Sequence, residues 1–350
     1  MRVLVGLPTF NNGVSGYTIR GTLEALVNQS YRDFRVLVVY KPSLGDGTLD
    51  VVDEFSDKLD IEVRIQGDGF FEEAMNEIFK AATDYDITLT TDDDAIPTKT
   101  WIEEHIQFHK NHEKIGITQG IVSSQIRNNE DHTFSLYILM RFLGHLIGFY
   151  KPLIKELYGY RIIVNYMGLF ACANCELGIE KHDYIHTFGI AGVNMSFKSG
   201  SLIAGFTLPG YTRRGLHNES LLALHFIRQG LHSAIFNGGF VEHLERESLS
   251  RPKSKVSEFM MAIEHILFPY GVYYYGFKIN MRRLKLYERL VKLYSKLSRA
   301  TIWRAYAIGL NLAIEAIEND YEPREVRRRL LEIEQEAKVK YGQGSRDYDH

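Results

Sequence analysis

Along the first third of the chain, apolar residues recur in two alternating rhythms. Short runs rich in β-branched and aliphatic side chains read as strands: Arg2 to Leu7, Phe34 to Val39, Ile61 to Ile65, Ile87 to Thr90 and Ile115 to Val122. Pro8 is expected to end the first of these. Between them lie stretches whose apolar positions fall three and four apart, the helical spacing: Thr18–Val27, Thr48–Phe55, Phe70–Ala82 and Trp101–His109. Strands alternating with helices form βαβ units. The pattern therefore predicts an α/β fold, a doubly wound and mostly parallel sheet with helices on both faces. Such sheets bind ligands outside the carboxyl ends of their strands, and Asp92-Asp93-Asp94 directly follow a strand.

The rhythm breaks near residue 127. Arg127 to His132 is polar and reads as a loop, and Phe134 to Ile154 as an apolar helix with a narrow polar edge at Arg141 and His145. That helix suits a core, a dimer contact or the neighbourhood of a lipid-linked acceptor. Strand and loop signals resume at Ile185, and Asn218 to Gln229 reads as a helix. Beyond about residue 250 the chain becomes helical and basic. This divides the chain into an α/β domain over 1–250 and a helical C-terminal extension over 251–350. The first comprises a half with the alternating pattern (1–125), a variable apolar insertion (126–182) and a second half (183–250).

Within the extension, Lys285, Arg289, Lys292, Lys296 and Arg299 recur at helical spacing as one basic stripe. Leu284, Tyr287, Leu290, Val291, Tyr294 and Leu297 are expected to form a facing apolar stripe. Arg282, Arg283 and Lys278 add charge, Glu288 is the one acid of the stretch, and Tyr273-Tyr274-Tyr275 and Phe277 precede it. So one-sided a charge, beside interface-favouring aromatics, predicts reversible binding to an anionic membrane surface.

Composition narrows the classes. The 350 residues are 45% hydrophobic, enough for a sizeable core. The net charge of −3 gives no reason to expect a nucleic-acid partner. Two cysteines fit a reducing compartment. The opening MRVLVGLPTF lacks the basic and apolar regions of a signal peptide, and no segment has the uncharged length of a membrane span. These features predict a cytoplasmic protein, peripheral at the membrane if the basic helix binds there.

Three consecutive carboxylates repel one another, and a hard divalent cation relieves that repulsion. Carboxylate oxygens suit Mg²⁺ or Mn²⁺, which also take phosphate oxygens. The alternative is a solvated acidic turn. Cys172 and Cys175, followed by His182 and His186, offer a zinc set with an unusually short gap; the alternative is buried free thiols.

The first ~245 residues resemble family 2 of the glycosyltransferases, through motifs in family order. These are Leu7-Pro8-Thr9-Phe10-Asn11, Leu23 to Tyr31, Gly45-Asp46-Gly47-Thr48, Ala74-Met75-Asn76, Asp92-Asp93-Asp94-Ala95-Ile96-Pro97 with Trp101, Gly192 to Phe197, and Gly205-Phe206. The resemblance implies the GT-A fold and inverting, metal-assisted transfer of a sugar from a nucleotide-sugar to a glycan or lipid-linked hydroxyl. It places Pro8, Thr9, Phe10, Asn11, Lys41, Asn76, Asp92 and Asp93 on the donor side. It implies metal ligands at Asp92, Asp94 and His243, and a general base at Glu219, which opens a helix ending at Gly230. The chain departs from the family at Tyr40-Lys41-Pro42, where adjacent aspartates are common. Lys41 is expected to meet a phosphate or a base other than uracil. A sugar nucleotidyltransferase would carry a Gly-rich basic loop where this chain has Leu7 to Asn12. A binding module without catalysis would have no need of the aspartates, Glu219 and His243 together.

Overall fold

The computed structural model describes residues 1–10, 17–123, 179, 182–187, 189–244, 254–298 and 300–341. The apolar segment 134–154, Cys172, Cys175, Asn11 and Arg299 lie outside the described residues.

Eleven strands are described: β1 (Val3–Phe10), β2 (Phe34–Lys41), β3 (Asp60–Ile65), β4 (Ile87–Thr91), β5 (Ala95–Pro97), β6 (Ile115–Gln119), β7 (Val122–Ser123), β8 (Tyr184–His186), β9 (Asn194–Lys198), β10 (His232–Phe236) and β11 (Val241–His243). The sheet helices are α1 (Tyr17–Val27), α2 (Thr48–Asp53), α3 (Phe71–Ala82), α4 (Trp101–Asn111) and α5 (Asn218–Arg228). The C-terminal helices are α6 (Lys255–Ile266), α7 (Phe268–Tyr274), α8 (Met281–Leu297), α9 (Thr301–Glu318) and α10 (Pro323–Tyr341).

The main sheet has the order β3-β2-β1-β4-β9-β6-β10-β8, and only β9 and β8 run antiparallel to their neighbours. The fold read from the pattern therefore holds: an α/β, mostly parallel sheet with helices on both faces and a helical C-terminal region. Three details differ. First, β1 continues through Pro8 to Phe10. Its ladder with β4 stops at Gly6↔Thr90 while that with β2 runs on to Phe10↔Lys41, so Pro8 sits where β1 is paired on one side only. Second, the run from Ile115 to Val122 is split between two sheets. Gly120 lies at the break, where a Cβ would stand 2.4 Å from the Gly239 carbonyl oxygen, so only glycine permits the approach. Third, a small sheet of order β5-β11-β7 stands beside the aspartates, with His243 opposite Ala95.

Both faces of the strands are covered, as a parallel sheet requires. Val3, Val5, Val36 and Val38 pack with Leu23, Val52, Trp101 and Ile106 on one face. Leu4, Leu37 and Val39 pack on the other with Ile78, Phe79, Phe197 and Phe226. This second core runs without a break into Met260, Ile263, Tyr270, Val291, Leu310 and Leu330 of the C-terminal helices. The helices thus share the sheet's core.

In α8, Leu284, Tyr287 and Val291 are buried as the apolar stripe requires. Leu297, expected among them, is 76% exposed, because it stands at the helix's last position, past the turn that packs on α9. Leu286 and Leu293 are also exposed, at 42% and 57%. The basic stripe is partly neutralised, Lys285 pairing with Glu318 and Lys292 with Glu288.

A chain ending at residue 250 would open the shared core at Phe79, Phe197 and Phe226. It is expected to lose the cooperative thermal transition of the full chain in a circular-dichroism melt. A truncated chain melting at the full-length Tm would show that the sheet closes its core alone.

Candidate active site

The sheet delivers the aspartates to one place. β4 ends at Thr91, and Asp92, Asp93 and Asp94 fill the turn before β5. Each carboxylate meets a different neighbour. Asp93, buried, accepts a 2.6 Å hydrogen bond from Thr9 Oγ1 at the end of β1. Asp94, also buried, lies 3.1 Å from His243 Nε2. Asp92 is the open one, its side chain 35% exposed, with Oδ2 3.7 Å from His243 Nε2. The turn itself is held by the Leu244 N–H donating to the Asp94 carbonyl (2.8 Å) and by Thr22 Oγ1 donating to the Ala95 carbonyl (2.8 Å).

Asp92, Asp94 and His243 each offer a ligand atom, all within 4.8 Å of one another. Two carboxylate oxygens and one imidazole nitrogen make a mainly hard set, which fits Mg²⁺ or Mn²⁺ with positions left for phosphate oxygens. Among the described residues this is the one such grouping. His186, from the sequence's zinc set, instead sits in β8 with its ring 4.9 Å from that of His232.

Glu219 lies in the first turn of α5, with its carboxyl against Gly192: a Cβ there would fall 2.4 Å from Glu219 Oε1. Gly192 is fixed in turn by Thr90 Oγ1, which donates to its carbonyl (2.7 Å). Burial, chiefly, pushes the Glu219 carboxyl up to about 7, and the Asp92 charge adds to the rise. Glu219 and Asp92 are thus within electrostatic reach across one site. A carboxyl poised near neutrality can take a proton and release it again, as a general base must.

Of the residues expected to meet a donor, Pro8, Thr9 and Phe10 stand at the end of β1. Lys41 Nζ donates to the Gly69 carbonyl (2.6 Å) and stands 5.7 Å and 5.3 Å from the Phe10 and Phe70 ring centroids. Burial, and after it the Arg213 charge, lowers the Lys41 pKa. Asn76 is placed differently from the rest. Its amide donates to the Leu208 carbonyl (3.1 Å) and accepts from the Leu208 N–H (2.7 Å), tying α3 to the loop after β9.

Several participants carry no local sequence signal. Phe70 receives Arg213 and Arg327 over its ring at 4.8 Å and 5.0 Å as well as Lys41, and these residues are far apart in the chain. Asn194 donates to the carbonyls of Ile121 (2.8 Å) and Gly239 (2.6 Å) and accepts from Trp101 Nε1 (2.8 Å), pinning the small sheet to the large one. Its place in the Gly192 to Phe197 motif was a signal for that position, though not for this role.

Comparison with known proteins gives a family and a fold. The family Glycosyl transferase family 2 matches residues 4–172. Among solved structures, the chain is similar to S. aureus TarS 1-349 in complex with UDP-GlcNAc, with 14% identity, a TM-score of 0.52, and coverage of 100% of this chain and 93% of that one. It is also similar to the mannosyltransferase PcManGT from Pyrobaculum calidifontis in complex with GDP-Man and Mn²⁺, with 16% identity, a TM-score of 0.52, and coverage of 97% and 86%. Against the longer S. aureus TarS chain it spans 40% of that chain's length. No curated protein matches the chain by sequence. The fold is that of the GT-A enzymes.

The metal reading has a direct test in Asp94→Asn. With UDP or GDP at about 100 times its dissociation constant, a Mn²⁺-dependent binder gains ~2.7 kcal/mol of stability. The wild type is expected to show a Mn²⁺-dependent rise in Tm with one of these nucleotides, and Asp94→Asn to fold but lose it. An undiminished shift in the variant would remove Asp94 from the ligand set.

Proposed function

Because the family Glycosyl transferase family 2 matches residues 4–172, we propose that this chain moves a sugar, with inversion, from a nucleotide-diphosphate-sugar to an acceptor hydroxyl on a glycan or lipid-linked carrier. One observation carries the reading: the Asp92, Asp94 and His243 ligand atoms converge within 4.8 Å at a strand end, and the Asp92 charge reaches the Glu219 carboxyl.

In this reading the donor diphosphate lies over Asp92 and Asp94, with Pro8, Thr9, Phe10 and Lys41 along the nucleoside. Asp92, Asp94 and His243 would hold a Mg²⁺ or Mn²⁺ ion, which would supply charge neutralisation for the departing diphosphate. The Asp93 carboxylate, held by Thr9, keeps the turn in register with β1. Glu219 accepts the proton of the acceptor hydroxyl as its oxygen bonds to the anomeric carbon. The bond from that carbon to the diphosphate oxygen breaks, and the nucleoside diphosphate leaves with the electron pair. Lys41, an ammonium among aromatic rings, favours a base or phosphate that accepts hydrogen bonds.

The acceptor side of the reading includes the cytoplasmic face of an anionic membrane. It is supported by the exposed face of α8, where Arg282, Arg289, Lys292 and Lys296 interleave with Leu286, Leu293 and Leu297. Ile302 and Ile308 extend the exposed apolar surface onto α9. No described helix is long and apolar enough to cross a membrane. Each cation near anionic lipid adds about 1 kcal/mol, screened by salt.

Turnover, its pH dependence, the product released and liposome binding test these statements. Glu219→Gln should bind donor normally and lose roughly 10²–10⁴-fold in transfer rate, the worth of a positioned base. The wild-type kcat/KM should rise with pH and level off near pH 7, because a carboxyl whose pKa is raised to about 7 is protonated, and idle as a base, below that. A variant with wild-type turnover would exclude Glu219, and release of pyrophosphate rather than nucleoside diphosphate would replace transfer with nucleotidyl chemistry. Separately, liposome co-sedimentation should require anionic lipid, weaken with salt, and fall for the triple change Arg289→Glu, Lys296→Glu, Leu293→Ser. Equal recovery in the supernatant with neutral and anionic vesicles would reject the membrane surface.

A further inference from the structure

The backbone just ahead of Glu219 is held in a form that its residues do not favour. His217, two positions before the carboxylate, has φ 68° and lies in the left-handed region, which is unfavourable for a residue with a Cβ. Gly215 before it is also left-handed at φ 65°. Such a conformation persists only where its surroundings over-determine it. Here the surroundings are two consecutive residues of α6. The Arg213 and Arg214 N–H groups donate to Glu264 Oε2 at 3.0 and 2.9 Å, and the Arg214 guanidinium pairs with Glu264 Oε1, with side chains 7% and 0% exposed. His217 Nε2 and His265 Nδ1 share a 2.8 Å hydrogen bond, one imidazole donating and the other accepting, with Phe268 against the His217 ring.

We propose that Glu264 and His265 are positioning residues: the C-terminal helices clamp residues 213–217 and so fix where α5 presents the Glu219 carboxyl against Gly192. This rests on the reading of Glu219 as base. The physical reason is leverage. Glu219 stands in the first turn after His217, so a change at that φ swings the carboxyl directly, and a displacement near 1 Å costs catalysis on the order of 10²-fold. The residues read as meeting the donor, on β1, β2, the turn after β4 and β11, lie outside the segment that this φ turns. The extension therefore contributes to turnover through its hold on residues 213–217.

The test uses the full chain, with UDP-GlcNAc and GDP-Man as donors, water as acceptor, and release of UDP or GDP as readout. Binding of UDP or GDP with Mn²⁺ is measured alongside. His265→Leu, which removes the hydrogen bond, should lower kcat at least about tenfold with the nucleotide Kd within about twofold. His265→Asn, whose amide can occupy the place of Nδ1, should retain most of kcat. Should His265→Leu fail to fold, His217→Gly removes the same bond from the other side while tolerating the left-handed turn, and the same loss of kcat is expected. A folded His265→Leu or His217→Gly with wild-type kcat overturns the inference, as does a loss of kcat and nucleotide affinity together, which marks general loss of packing. Glu219→Gln separates the two readings. If it turns over like the wild type, the base assignment falls and takes this inference with it. If it is inactive while His265→Leu is fully active, the clamp alone is wrong.

Discussion

Three adjacent carboxylates at the end of a buried strand repel one another and resist desolvation, and much of the site is arranged around that fact. The chain gives each a different surrounding. Asp93 is drawn toward β1 by Thr9, Asp94 toward β11 by His243, and Asp92 is left open to solvent. The consequence is directional. The two inner carboxylates lock the turn to two strands, while the outer one faces the space a diphosphate and its cation would fill. The small β5-β11-β7 sheet exists in this place to bring His243 opposite Ala95, and Asn194 holds it there through Ile121 and Gly239. A buried amide with both its donors and its acceptor engaged is a rigid hub, because any shift would leave polar groups unpaired in a low dielectric.

The same reasoning explains why the C-terminal helices belong to the catalytic body. Glu72 is buried and accepts from the Thr212 N–H (2.9 Å) and hydroxyl, with Arg327 of α10 beside it. Burial foremost pushes the Glu72 carboxyl up to about 8. Arg327 also pairs with Glu73 at 2.6 Å, and Arg213 with Glu334. Ion pairs of this kind add little stability beyond what apolar packing would supply. Removing a partner of Glu72 or Glu334, both buried, would leave a polar group unpaired in a low dielectric. They therefore act as registration: the 208–217 loop, α3 and α10 fit together in one way only. That loop runs from the contact with Asn76 to the left-handed turn before Glu219, so donor-side and acceptor-side elements share a single fixed connection.

The sequence by itself determined the layered architecture, since strands buried on both faces must be apolar at every position and helices between them apolar at every third or fourth. It also located the aspartates at a strand end, and its resemblance to family 2 singled out Glu219 and His243 as candidates. What it could not carry was anything depending on residues far apart in sequence. The antiparallel insertion of β9 between β4 and β6 is such a case, because Asn194 to Lys198 has the same apolar character in either direction. The division of Ile115 to Val122 between two sheets is another, set by the close approach of Gly120 to Gly239 rather than by any local break in hydrophobicity. The exposed leucines of α8 were legible as apolar residues. Which of them meet α9 and which face solvent was decided only when the helices packed. Likewise the ring of Phe70 among three cations, and the grip of Glu264 and His265 on the loop before Glu219, arise from tertiary contact between segments about 30 to 260 residues apart. Local spacing encodes which face of an element is buried; the partner it meets there, and hence the charge and shape of the site, is set by the packed chain as a whole.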